Sequence, residues 1–297
     1  MNERDALRRL AADLSPAGDD AAVVDDTVIT TDMLHERTDF PPGTTRYTAG
    51  WRAVGASLSD VAAMGAEATA AVAVYADERF DPDALDAFIA GATDVCAAVD
   101  ASYVGGDLDT HAEFTTATTA IGTAPADGVI RRSGAAPGDA LCVTGRWGRS
   151  AAALRLFDRE TAESTDQANE LFQFTPRVAA GHTLAETATA MMDSSDGLAR
   201  SLHQIAEASD VGIALDGRSV PVHPAIETLT DDPDERFEMA AHFGEDFELV
   251  CTLPPAAVDR ARRECPVELT RVGSVRAADT GVTVDGDPLA DRGYTHG

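Results

Sequence analysis

Aspartate recurs in this chain where apolar stretches give way to small residues. The places are Gly18-Asp19-Asp20, Thr30-Thr31-Asp32, Ser59-Asp60, Gly105-Gly106-Asp107 and Asp193-Ser194-Ser195-Asp196-Gly197. Carboxylate and hydroxyl oxygens are what Mg²⁺ prefers, and Mg²⁺ held this way usually keeps waters and bridges substrate phosphates. Neighbouring glycines let backbone come close to a bulky polyphosphate. Asp193 and Asp196 lie three apart at an expected helix start, so both can face one site. Asp60 sits near the end of the mostly uncharged run Gly50 to Gly65, with no arginine within a helical turn. An ionised carboxylate among apolar neighbours is costly unless a cation compensates it, which makes Asp60 a candidate metal ligand. Each motif alone also has an ordinary reading. Asp beside Gly is turn chemistry, and Asp193 or Ser195 suits a helix N-cap. The set together with Asp60 is what points to phosphate chemistry.

Arg132 is the natural cation for a phosphate, because guanidinium binds it bidentately. Its plain alternative is a surface ion pair. Gly145-Arg146-Trp147-Gly148 before a helix reads as an anion nest or a simple strand-to-helix turn. His35 and His111 read as loop residues, Arg131 and Ser133 as linker. No serine has a nucleophile context with a paired histidine, so a hydrolase triad has no support. All 23 basic residues are arginine, which excludes a Walker P-loop with its Gly-Lys-Ser/Thr.

The elements that must position these groups alternate between strand and helix. Residues 4–14 read as a short helix, and 21–24 and 27–34 as strands split by Asp25-Asp26. The run 50–65 reads as an amphipathic helix with Trp51, Val54, Leu58, Val61 and Ala62 on its apolar side. Its other face is small, which suits close approach of another backbone. A strand at 68–75, a helix at 82–99, a strand ending in a loop at Gly105-Gly106-Asp107 and a Thr-rich strand at 114–123 follow. The Pro-Gly punctuated stretch 131–139 separates a domain of residues 1–135 from one of 136–297. The second half reads as strands at 141–144, 212–216, 247–253, 268–275 and 281–285. Helices fall at 150–157, 177–188, 197–208 and 255–263, with a charged surface excursion at 158–170. The fold class is α/β (α+β) with mixed, helix-covered sheets.

The chain has 297 residues and a formal charge of −28. Acidic, lysine-free composition spread along the whole chain fits a protein whose self-repulsion is screened by molar salt. No basic stripe exists to release counterions from nucleic acid. No apolar run approaches the roughly 20 residues of a membrane span, and the first residues lack a signal-peptide core. Cys96, Cys142, Cys251 and Cys265 are scattered, which suits a reducing cytoplasm.

Taken in order, GDDAAVV, TTDML, SLSDVAAMGA, GGD, RRSGAAPGD with the following VTG, MDSSDGLA and GEDFEL make this chain resemble the thiamine-monophosphate kinase family. That family belongs to a superfamily with aminoimidazole ribonucleotide synthetase and selenophosphate synthetase. The resemblance spans Gly18 to about Gly273. It implies two synthetase-type domains, a homodimer whose N-terminal sheets form a barrel, and ATP lying across the sheet and domain junction. It implies ATP as co-substrate, several Mg²⁺ ions, and transfer of the γ-phosphoryl group to thiamine monophosphate. Asp20, Thr30, Thr31, Asp32, Asp60, Asp107, Asp193 and Asp196 match the family's Mg²⁺ positions. Gly106, Asp107, Arg132 and Ser195 match ATP contacts, and Glu245 a thiamine-side contact.

Two departures stand out. Where the family has His-Phe, seven residues after the TTD aspartate, this chain has Asp39-Phe40. Asp39 thus falls at a substrate position without the histidine's attraction for phosphate, and Arg37 or Arg46 is expected to take part of that role. At the C-terminus, Asp291-Arg292-Gly293-Tyr294 replaces the usual aromatic context. Direct in-line transfer without a phosphoenzyme is the expected mechanism, since a phosphate acceptor needs no strong base. The rivals are another ATP-dependent enzyme of the superfamily, of purine-pathway or hydrogenase-maturation type, and a non-catalytic acidic cation binder.

Overall fold

The computed structural model describes residues 18–293 together with Arg9, so the helix expected at 4–14 lies outside the described residues. The first half builds a five-stranded sheet from β1 (Ala22–Val24), β2 (Thr27–His35), β3 (Glu67–Asp77), β4 (Ser102–Thr110) and β5 (Thr115–Thr123). Its order is β1-β2-β5-β3-β4, with only the β3–β4 pair parallel. Asp25, in left-handed backbone at φ 56, turns β1 into β2. Helices α1 (Glu36–Asp39), α2 (Arg46–Ala63) and α3 (Pro82–Ala97) complete this half.

Helix α2 begins earlier than its apolar spacing suggests, because the Thr45 hydroxyl caps it by accepting from Thr48 N–H. Its small face does what such a face allows. A Cβ on Gly50 would lie 2.1 Å from the Phe88 carbonyl oxygen, and one on Gly91 would lie 2.0 Å from that of Tyr47. The backbones of α2 and α3 therefore touch in both directions. Beneath them Tyr75, Phe88 and Phe114 pack with ring centroids 5.2–5.9 Å apart. The other face of the sheet leaves Ile29, Met33, Val72 and Val74 exposed.

The second half builds a seven-stranded sheet from β6 (Ala140–Thr144), β7 (Ala190–Asp193), β8 (Gly212–Leu215), β9 (Leu249–Leu253), β10 (Leu269–Arg276), β11 (Val282–Val284) and β12 (Asp287–Pro288). The order is β12-β11-β8-β10-β6-β9-β7, with only β11 and β8 parallel. Helices α4 (Arg149–Phe157), α5 (Ala162–Phe172), α6 (Val178–Ala185), α7 (Leu198–Ser209), α8 (Pro224–Glu227), α9 (Pro233–Ala241) and α10 (Val258–Glu264) surround it. Helix α6 also seats against α2, where a Cβ on Gly181 would lie 2.0 Å from the Ala62 carbonyl oxygen. All four cysteines are buried and free. No helix among the described residues is long and apolar enough to cross a membrane.

Four segments differ from expectation. The charged stretch 158–170 is largely helix α5, started by a capping box between Thr161 and Ser164. Ser164, Ala168 and Phe172 turn inward while Glu163, Asp166 and Glu170 face water. Gly105-Gly106-Asp107 does not end its strand. β4 bulges there and runs on to Thr110 beside β3. The loop expected from His35 to Thr45 contains the single turn α1, and α9 was not legible at all.

Candidate active site

The period-two alternation of β2 points Thr30 and Asp32 toward α2 and turns Thr31 to the opposite face. Thr30 Oγ1 donates to Asp60 Oδ2 at 2.5 Å, and Ser57 Oγ donates to Asp32 Oδ2 at 2.9 Å. Two residues on, Ser59 Oγ donates to Asp193 Oδ2 at 2.6 Å, reaching the last residue of β7 in the other half. Asp20, just before β1, receives Arg132 bidentately, at 3.2 Å from Nε and 2.9 Å from Nη2. A single helix thus lines up carboxylates drawn from both sheets. Asp20, Asp60 and Asp193 each present an oxygen within 4.8 Å of the others.

The charge at this point is poorly compensated. Burial, then the charges of Asp32, Asp193 and Asp20, push the Asp60 carboxyl well above the ordinary carboxylate range. Burial and then Asp20 do the same to Asp193, and burial raises Asp32. Burial opposes the charge of Arg132, but Asp20, Asp193 and Asp60 outweigh it and hold the guanidinium firmly protonated. Asp193 Oδ1 and Ser194 Oγ are buried without a hydrogen-bond partner. Three converging carboxylates and an orphaned carboxylate oxygen fit a hard divalent cation and its oxygen ligands.

The remaining expected residues are placed differently. Thr31 Oγ1 donates to the Thr118 carbonyl at 2.8 Å, away from the cluster. Sheet register puts Asp32, Thr118, Ala73 and Gly106 in one row. A Cβ on Gly106 would collide with the Ala73 carbonyl, 1.7 Å away, so only glycine fits there. Asp107, one residue on, is exposed and accepts from Leu108 N–H at 2.9 Å. Ser195 and Asp196 occupy the turn between β7 and α7, where the Ser195 carbonyl accepts from Glu245 N–H at 2.6 Å. Asp39 is buried and caps its own turn, accepting from His35 N–H at 2.7 Å and Thr38 Oγ1 at 2.8 Å. Arg37 is exposed beside Glu113, and Arg46 is bound to Glu36 and Asp77 over the Phe114 ring.

Ser57 and Ser59 emerge as holders of carboxylates, for which serines beside an aspartate in an apolar helix are the only local signal. The cation near Asp60 is Arg132, distant in sequence and close in space.

Residues 18–124 match the AIR synthase related protein N-terminal domain and residues 136–285 the corresponding C-terminal domain. The thiamine-monophosphate kinase of Halobacterium salinarum is 62% identical over 296 residues, covering 100% of both chains. That of Methanospirillum hungatei is 36% identical over 307 residues, covering 100% of this chain and 99% of its own. The crystal structure of thiamine-monophosphate kinase from Stenotrophomonas maltophilia aligns with a TM-score of 0.81 at 30% identity, covering 96% of each chain. AaThiL complexed with AMPPCP and TMP aligns with a TM-score of 0.88 at 25% identity, covering 100% of this chain and 97% of that one. Two matched domains in order, a shared two-domain fold and full-length identity lead to one conclusion: this chain belongs to the thiamine-monophosphate kinase family.

Proposed function

We propose that this chain transfers the γ-phosphoryl group of ATP to thiamine monophosphate in one direct in-line step. The acceptor phosphate oxygen bonds to the γ-phosphorus as the bond to the β-phosphate bridging oxygen breaks, leaving thiamine diphosphate and ADP. The observation that carries this reading is the convergence of Asp20, Asp60 and Asp193 within 4.8 Å, with Thr30 on Asp60, Arg132 on Asp20, and Asp32 held by Ser57 of the same helix. Several Mg²⁺ ions, when bound, neutralise the two phosphoryl groups and polarise the γ-phosphate. Asp20, Asp32, Asp60 and Asp193 would hold them, with Thr30, Asp107 and Asp196 at the margins, whereas Thr31 is turned to the opposite face and would not reach them. Gly106, Arg132 and Ser195 contact ATP, Arg132 after exchanging Asp20 for phosphate oxygens. Glu245 faces the acceptor, and Asp39, at the family's other substrate position, is engaged within its own turn. No side chain needs to abstract a proton, because a phosphate with a second pKa of about 6 is already an anion at neutral pH.

The domains divide near residue 135, and the site lies between them. The exposed Ile29, Met33, Val72 and Val74 face pairs with a second copy in a homodimer. The enzyme works in a salt-rich cytoplasm. The direct test is ADP release by purified protein in molar KCl with thiamine monophosphate and the superfamily's other acceptors side by side. Turnover confined to thiamine monophosphate, with inversion at a chiral γ-phosphate, is the expected result. Turnover with another acceptor alone, or retention of configuration, would overturn it.

A further inference from the structure

Helix α2 carries a buried arginine, two turns before Asp60, that the phosphoryl chemistry does not use. Arg52 is 1% exposed. Its guanidinium lies on the Phe172 ring, 4.0 Å from the centroid, with Phe174 and Phe247 at 5.8 and 5.6 Å. It donates to the Phe172 carbonyl at 3.1 Å, Ser150 Oγ at 3.1 Å, the Glu245 carbonyl at 3.3 Å and Glu245 Oε2 at 2.7 Å. A guanidinium buried among aromatic rings is expensive unless its donors are matched, and here they all converge on the far half of the molecule.

The loop it grips is set unusually. Glu245 and Phe247 are non-glycine residues with left-handed φ of 66° and 52°. Such backbone persists only where its surroundings over-determine it. Ser195 accepts from Glu245 N–H, Ser150 Oγ donates to the Glu245 carbonyl at 2.6 Å, and Arg52 takes the carboxylate. The Glu245 side chain is nevertheless 31% exposed. Among the described residues its other oxygen, Oε1, takes no hydrogen bond. One oxygen is fixed from beneath and the other is open.

We infer that Arg52 is a positioning residue: it holds one oxygen of Glu245 so that the other meets the acceptor substrate at a distance from the carboxylate cluster fixed by α2. The same helix presents Ser57, Ser59 and Asp60, so acceptor and phosphoryl ends are measured along one rigid rod. This inference rests on reading Glu245 as an acceptor contact. The competing role is a plain joint between the two halves.

Steady-state kinetics of Arg52→Gln, Arg52→Lys, Glu245→Gln and the Arg52→Gln/Glu245→Gln double variant separate these roles, with melting temperatures alongside. Losing a charged hydrogen bond predicts a rise of about tenfold or more in KM for thiamine monophosphate for Arg52→Gln and Glu245→Gln. KM for ATP stays within about twofold. The double variant is no worse than Glu245→Gln, and Arg52→Lys recovers part of the loss. If Glu245→Gln raises that KM while Arg52→Gln leaves it unchanged, positioning by Arg52 is wrong and the role of Glu245 stands. If Glu245→Gln changes nothing, the reading of Glu245 itself fails. If Arg52→Gln does not fold, Arg52→Lys carries the test. Equal effects on both KM values, or a lower melting temperature alone, would make Arg52 a structural joint and overturn the inference.

Discussion

Replacing Asp60 with asparagine should make the metal-free protein more stable and the enzyme almost inactive. Asp20, Asp60 and Asp193 bring oxygens within 4.8 Å of one another. At that separation, with an effective dielectric constant of about 20, one pair of like unit charges costs roughly 3 kcal/mol. Arg132 beside Asp20 offsets part of this, and protonation of the raised carboxyls offsets more. The net gain for Asp60→Asn is about 2 kcal/mol, because asparagine keeps an oxygen that can accept from Thr30 Oγ1. For domains of this size that is a rise of roughly 4–8 °C in Tm. The assay is calorimetric melting in molar KCl with EDTA, repeated with Mg²⁺ and AMPPCP. The wild type should gain stability from the additions, and Asp60→Asn should gain little. Its kcat should fall by about a hundredfold or more, since a divalent cation held there would supply several kcal/mol of charge stabilisation. A lower Tm in EDTA combined with wild-type turnover would refute the reasoning.

Arg132→Gln should free the Asp20 carboxylate, whose side chain is 0% exposed. It should cost about 3 kcal/mol of stability, tighten Mn²⁺ binding without nucleotide and weaken AMPPCP binding, all readable by calorimetry. Unchanged Mn²⁺ affinity would contradict the exchange of partners. Burial pushes Asp246 up to about 6, although Gly148 and Ser150 N–H groups donate to it. Its contribution to stability is fully present below the unfolded value of about 3.9 and is lost as pH rises through about 6. Carboxyl-carbon NMR should find that midpoint, and a midpoint near 4 would count against it. The paired substitution Met33→Glu and Val74→Glu should leave a monomer in sedimentation in molar KCl. A wild-type protein that already sediments as a monomer would remove the dimer.

Local pattern was enough for most of the first half. The alternation in TVITTDML reads directly as β2, and the apolar spacing around Leu58 reads as α2. Helix α5 escaped because its inward positions, Ser164 and Ala168, are too small or polar to mark a hydrophobic stripe. The continuation of β4 escaped because two glycines look like a loop until the parallel partner β3 supplies hydrogen bonds. The cluster itself was legible only as a set. Asp20, Asp60 and Asp193 are far apart along the chain, and nothing in spacing says that three elements will bring them together. Ordered motifs supplied that link through resemblance. What the motifs could not supply was direction. Strand alternation sends Thr31 away from Asp32, and Asp39 turns back on His35. Nor could they reveal that Arg52, which no motif singles out, crosses to Glu245.

The two-way backbone contact at Gly50 and Gly91 leaves α2 no slack. A methyl group at either position, though neither glycine is a site residue, would push the whole rod sideways and shift Arg52, Ser57, Ser59 and Asp60 in concert. Phosphoryl and acceptor ends would go out of alignment together, as a misfitted axle throws off both wheels.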